Sequence, residues 1–277
     1  MQFNNRSLRD EIRTPIARLI GIDRRGGGRD HYVFNVNNTR MAYAYIRKNA
    51  CTAFKNLIIA STEHEPFFDA RGNPINFLNE FHREQSFISL ENCDYRLFVY
   101  RDPTERIASL FTNKLVMNKD NDDLLDNIRH ITERDPWEFS FEDFIDKYIG
   151  LGPNSAAFDP HIWSQASHLY PIKYTHAIPM AYLYNTLYKI IGESEANRFF
   201  AKKVNVSDGE IDALMRETHL FPVGELHREW KKTGRRPSLK SLVSENIHER
   251  VKALYADDYR LIHNIEGRNR IFKARAW

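Results

Sequence analysis

The segment Tyr95-Arg96-Leu97-Phe98-Val99-Tyr100 runs almost directly into Asp102-Pro103-Thr104-Glu105. An aromatic and β-branched run of this kind reads as a buried strand. The Asp-Pro-Thr-Glu stretch reads as a helix start. Asp102 can cap, Pro103 already has the backbone angle that a first helical residue needs, and Glu105 stands at the capping-box position. Ile107, Leu110, Phe111 and Leu115 recur at helical spacing and give that helix its apolar stripe. Only Arg101 separates strand from cap, so it is fixed at the carboxyl end of a strand, the edge where open α/β sheets bind ligands.

The rest of the chain has the same alternation. Tyr32–Val36 and Met41–Ile46 read as strands joined at Asn37-Asn38, a pair suited to a tight hairpin turn. A helix is expected over 50–60, with Ala50, Ala53, Phe54, Leu57 and Ile58 on one face. Residues 62–75 read as loop and 76–85 as a short helix. Further helices are expected at 122–133, 141–149, 181–191, 194–202, 208–217 and 244–260. The fold class is therefore α/β: a mainly parallel central sheet flanked by helices, with a helical C-terminal half. Residues 1–30 are polar and end in Arg24-Arg25-Gly26-Gly27-Gly28-Arg29, which reads as a lead-in to a single domain over 31–277.

Composition narrows the function classes. Forty Lys and Arg against 37 Asp and Glu leave a net charge of +3. That is too little to coat nucleic acid by bulk attraction, and no nucleic-acid partner is expected. Two cysteines, Cys51 and Cys93, cannot build a disulfide scaffold or a four-cysteine zinc site. No set of His, Asp and Glu has metal-ligand spacing, so no metal is expected. No signal-like apolar stretch opens the chain, and the sequons at Asn5, Asn37 and Asn205 are read as chance matches. The run Lys231-Lys232-Thr233-Gly234-Arg235-Arg236 reads as a solvated loop. Tyr182, Tyr184, Leu187, Tyr188 and Ile191 read as a core-facing helix stripe. His31, His82 and His248 read as structural or surface residues.

Two strand–turn–helix junctions carry the chemistry. In the first, Arg47-Lys48-Asn49-Ala50-Cys51-Thr52, a helix opens on small residues. Its backbone N–H groups and dipole favour an anion, and Lys48 adds a full charge. The same residues also suit an ordinary βα turn with solvated cations. G-x-x-x-x-G-K-[ST] is absent, which argues against a P-loop kinase or NTPase. In the second junction, Arg101 at the strand end is followed by Arg106 and Ser109 on one helix face. Guanidinium charge and a hydroxyl could grip a second phosphate there, or the arginines could simply pair with nearby carboxylates.

Together the junctions resemble the motif pair of sulfotransferases that use 3′-phosphoadenosine 5′-phosphosulfate (PAPS), in the carbohydrate sulfotransferase branch. The first motif is Arg47-Lys48-Asn49-Ala50-Cys51-Thr52-Ala53-Phe54-Lys55, with Arg47 where the family usually has proline. The second is Arg101-Asp102-Pro103-Thr104-Glu105-Arg106-Ile107-Ala108-Ser109-Leu110-Phe111-Thr112-Asn113-Lys114. Asp159–Gln165, Asn205-Val206-Ser207 and Leu254–Tyr259 resemble the family's downstream segments, with Ile162 inserted between His161 and Trp163.

The resemblance implies a P-loop-like sulfotransferase fold and in-line sulfuryl transfer from PAPS to a carbohydrate hydroxyl, leaving 3′-phosphoadenosine 5′-phosphate. Lys48 would neutralise the leaving phosphate. Arg47, Asn49, Ala50, Cys51 and Thr52 would surround the 5′-phosphosulfate, and Arg101, Ser109 and Arg106 the 3′-phosphate. Candidates for a general base are His161, Asp159, Glu63, His64 and Glu65, with His161 in the family-like segment. The acceptor classes are polysaccharide, lipopolysaccharide and glycolipid, the last bringing the protein close to a membrane surface. A bacterial cytoplasmic enzyme is the expected setting. The alternative from another class is a non-catalytic protein that binds anionic glycan or nucleic acid with the same basic residues.

Overall fold

The computed structural model describes residues 29–63, 72–119, 122–153, 157–201 and 217–274. The expected Asn-x-Ser step at Asn205, all but the last residue of the helix over 208–217, the sequon at Asn5 and the base candidates His64 and Glu65 lie outside them. The described chain folds as α/β around a mainly parallel four-stranded sheet. It divides into two compact units. One takes its residues from Met1–Ile46, Ala50–Val99 and His168–Lys202, the other from Arg47–Asn49, Tyr100–Ser167 and Lys203–Trp277.

The first unit holds the sheet. The strands β1 (His31–Val36), β2 (Thr39–Ala44), β3 (Tyr95–Tyr100) and β4 (His176–Pro179) lie side by side in that order. β1 and β2 form the expected hairpin, antiparallel with Val36 opposite Thr39. Asn37 and Asn38 both have positive φ, at 50° and 62°, as the tight turn requires. β2 and β3 pair in parallel, with Met41 opposite Tyr95 and Ala44 opposite Phe98. The helix Cys51–Ala60 buries Ala53, Phe54, Leu57 and Ile58 as its spacing predicts. The Phe54 ring stacks on Tyr43 with centroids 3.8 Å apart.

Several boundaries moved for physical reasons. The helix expected over 76–85 spans Pro74–Phe81, because Asn73 caps it and Pro74 opens it. It stops there because His82 and Glu84 give their backbone groups to β1. The short helix Phe87–Glu91 and the strand β4 have no periodic signal long enough to predict. In Leu183–Ile191 the buried face is Leu183, Leu187 and Ile191, whereas Tyr182 and Tyr188 are 62% and 42% exposed. Of the stripe read as core, Tyr182 and Tyr188 therefore face outward, while Tyr184 packs partly buried against the core beside Leu187 and Ile191.

The second unit is helical. The helix Pro103–Leu110 continues as a widened π turn over Phe111–Val116. The stretch expected as one helix at 141–149 opens with a Ser140–Asp143 capping box, widens over Phe144–Tyr148 and tightens over Ile149–Leu151. The stretch at 244–260 is two helices, Glu245–Leu254 and Ala256–Ala274, broken at Tyr255. An unpredicted helix, Val223–Thr233, takes in half of the basic run read as loop and ends at Gly234 with φ 72°. The unit's core gathers Ile107, Leu110, Phe111, Leu115, Phe141, Phe144, Ile162, Leu226, Ile247 and Val251. No helix among the described residues is long and apolar enough to cross a membrane.

Candidate active site

The site in the second unit is built on two loops and the start of one helix. Arg47–Asn49 forms the first loop. Lys48 has φ 69° and Ala50, the next residue but one, φ 59°. Left-handed backbone costs a residue with a side chain roughly 1–3 kcal/mol, and such strain concentrates at functional sites. The loop is pinned twice. Lys48 Nζ donates to Asn113 Oδ1 at 2.9 Å. Asn49, fully buried, donates from Nδ2 to Gln165 Oε1 at 2.7 Å. Asn113 stands in the second motif without an assigned role, four residues beyond Ser109 and one helical turn on.

The second loop runs from Phe158 to Gln165. His161 Nδ1 lies 2.7 Å from Asp159 Oδ1, and the same oxygen accepts the His161 backbone N–H at 2.7 Å. Burial pushes the Asp159 carboxyl up, but the hydrogen bonds and charge of His161, with the charge of Arg47, outweigh it and leave Asp159 below the ordinary carboxylate value. Asp159 is thus ionised near neutrality. His161 Nδ1 must donate to it, leaving the lone pair on Nε2. Burial also lowers His161, Asp159 raises it in part, and the charges of Arg47 and Lys114 lower it again; the net shift is downward. The imidazole is a quarter exposed. The arrangement is a neutral imidazole oriented by a carboxylate, with two cations close by. Such a group can accept a proton from a hydroxyl.

Arg106, which the resemblance places at the 3′-phosphate, is fully buried. Its guanidinium donates to the carbonyls of His161 at 3.1 Å and Trp163 at 2.5 Å, and lies 5.6 Å from the centre of the Tyr255 ring. Arg106 therefore holds the His161 loop from beneath. Tyr255 adds a hydrogen bond to the Ile162 carbonyl at 2.5 Å. Ile162, the inserted residue, is fully buried. Its side chain fills the core while His161 stays at the surface of the loop.

Arg101 behaves differently. Its side chain is about a fifth exposed and pairs with Glu105 at 3.3 Å. Burial lowers its pKa, and Glu105 counters in part. Asp102 caps the helix through the Glu105 N–H at 3.1 Å, but the Glu105 carboxylate turns to Arg101 instead of closing the box. Ser109 is half-buried one helical turn beyond Glu105. Tyr259 donates to Asp102 at 3.1 Å and meets Thr104 at 3.0 Å, so the closing helix braces this helix start.

In the first unit, Ala50 precedes the helix Cys51–Ala60 without a side-chain cap, and the first turn carries no acidic residue. Thr52 is exposed on that turn. Cys51 Sγ donates back to the Ile46 carbonyl at 2.9 Å, so its backbone N–H, not its thiol, faces the helix start. Glu63, in this unit, is exposed. Cys51 and Cys93 are both free thiols.

Within the second unit, Lys48 in left-handed backbone and Arg101 at a strand end are cations of the kind that phosphate groups require. Among the described residues no cluster of three or more His, Cys, Asp or Glu is placed to hold a metal ion. No curated protein and no solved structure matches the chain. A model described as the sulfotransferase family does match it, over residues 30–263. That span contains both junctions, the Asp159–His161 pair and the bracing residues up to Tyr259, and the chain belongs to the sulfotransferase family.

Proposed function

We propose that the protein transfers a sulfuryl group from PAPS to a hydroxyl of a carbohydrate acceptor, with His161 as general base. The observation that carries the reading is the Asp159–His161 pair, with Nδ1 committed to the carboxylate and Nε2 left basic. PAPS, when bound, supplies an activated sulfuryl group whose departure loads charge onto a phosphate oxygen. Lys48, steered by Asn113, would meet that charge. Thr52 and the N–H groups over 49–52 would hold the 5′-phosphate, and Arg101 with Ser109 the 3′-phosphate. Arg106 has no contact role in this scheme; it fixes the height of the His161 loop. The reaction follows from placing acceptor, base and cations in line, which alone removes much of an activation barrier.

The carbohydrate class draws support from the two motifs and from the cations Arg47 and Lys114 beside His161. Residues of this kind suit a hydrophilic acceptor that carries negative charge along its length. The test is transfer from labelled PAPS against a panel of polysaccharides, lipopolysaccharides and glycolipids, with melting measured alongside. Label should enter one glycan class, and 3′-phosphoadenosine 5′-phosphate should raise the melting temperature. No thermal shift at saturating nucleotide would overturn the donor assignment.

A further inference from the structure

We propose that Gln165 is a positioning residue that joins the two phosphate-holding parts of the donor site, so that occupation of one orders the other. The inference rests on the donor assignment above.

The Gln165 side chain is fully buried. Its Oε1 accepts from Asn49 Nδ2 at 2.7 Å and from the Arg101 backbone N–H at 3.1 Å. Its Nε2 donates to the Arg101 carbonyl at 3.0 Å and to Asp258 Oδ2 at 3.3 Å. A primary amide has two hydrogens and an oxygen with two lone pairs, so every valence is used. The orientation is also fixed, since Asp258 requires the nitrogen on its side and the Arg101 N–H requires the oxygen. Asp258, itself fully buried, accepts the backbone N–H groups of Gln165 and Ala166, each at 2.9 Å.

The location explains the need. β3 ends at Tyr100, and at Arg101 the chain leaves the sheet with one donor and one acceptor to satisfy. Gln165 satisfies both, as a neighbouring strand would. A purely structural clasp would end there. Of the other two bonds, one anchors the amide to Asp258 and the other reaches Asn49, in the strained loop beside Lys48. One side chain therefore touches the residue proposed for the 3′-phosphate and the loop proposed for the 5′-phosphosulfate. Coupling between two sites is reciprocal: each group bound favours the binding of the other.

The experiment compares calorimetric affinities of the intact chain for 3′-phosphoadenosine 5′-phosphate and for adenosine 5′-monophosphate, which lacks the 3′-phosphate. In the wild type the first should bind much more tightly. In Gln165→Met the ratio of the two affinities should fall by roughly tenfold, within the usual range of coupling between sites. A role limited to stability would lower the melting temperature and leave the ratio as it was. Should Gln165→Met not melt cooperatively, Asn49→Ser removes the single bond to the loop and keeps the clasp on Arg101, and the ratio should again fall. An unchanged ratio in the folded variant overturns the inference while leaving the donor assignment intact. Absence of nucleotide binding in the wild type overturns the donor assignment itself.

Discussion

His161 and Asp159 share one carboxylate oxygen twice over: Oδ1 of Asp159 takes both the ring Nδ1–H and the backbone N–H of His161, each at 2.7 Å. The two hydrogen bonds fix the ring's tilt as well as its tautomer. A base acts when deprotonated, and burial holds the His161 pKa below its ordinary 6.5. Turnover should therefore be full at neutral pH and fall as pH drops through that lowered value. Asp159→Asn removes a group that raises His161, so the acid limb should move to still lower pH. Its kcat should fall by about 10²-fold or more, because the charged imidazole loses its partner. His161→Ala should abolish transfer and leave nucleotide affinity unchanged. A pH–rate profile with parallel calorimetry checks all three, and undiminished turnover in His161→Ala would remove the residue from the mechanism.

Lys48 and Asn113 should separate charge from placement. Lys48→Ala removes the cation and should cost nearly all turnover. Asn113→Ala leaves the charge but not its anchor at 2.9 Å. Its kcat should fall by about tenfold with little change in KM, because misplacing a group that acts only in the transition state spares ground-state binding. Steady-state kinetics on both variants decides. A rise in KM alone would assign Lys48 to binding.

Arg106→Leu should destabilise the second unit by about 3 kcal/mol, because the carbonyls of His161 and Trp163 lose a charged donor inside the protein. Arg106→Lys should not restore it, since an ammonium cannot span two carbonyls as a planar fork does. Thermal melts and urea titrations measure the loss. If Arg106→Leu melts like the wild type but loses nucleotide binding, Arg106 is a ligand residue after all.

His31 makes a stability prediction in the first unit. It is fully buried, stacked on Tyr170 with centroids 4.2 Å apart and hydrogen-bonded to Tyr174 at 2.7 Å. Burial drives its pKa down to about 3, with the Arg29 charge lowering it further and the Arg29 backbone opposing. The folded value lies below the unfolded one. Between pH 6.5 and about 3 the unfolded chain holds a proton that the native chain refuses. This contribution is whole above pH 6.5 and should decline by about 1.4 kcal/mol per unit as pH falls through that window. His31→Gln should flatten that slope. Urea midpoints from neutral to mildly acid pH test it, and parallel curves for the two proteins would refute it.

Much of the site was legible because its signals are local. A strand, a cap and a helix stripe depend on neighbours within one or two turns, so β3, Asp102 and the Ile107–Leu115 stripe could be read directly. The same locality misled at Arg106. A charged residue off the apolar stripe reads as solvent-facing, and nothing nearby in sequence announces that carbonyls 55 and 57 residues away will satisfy it. Tyr182 and Tyr188 erred the other way: aromatic rings at helical spacing count as core until the neighbouring aliphatic face takes that place.

The sequence by itself determined the family, the class of fold and the residues on which chemistry would be sought, since short motifs and hydrophobic periods are properties of contiguous chain. The tertiary structure decided which of those residues are spent. Arg101 keeps a partly exposed guanidinium while Arg106 is sealed under the His161 loop. Gln165 meets Asn49 across 116 positions and Asp258 across 93. Burial and long-range hydrogen bonding set these outcomes. A buried polar group must find a partner wherever chain closure brings one, and that partner is not encoded in the spacing of its neighbours.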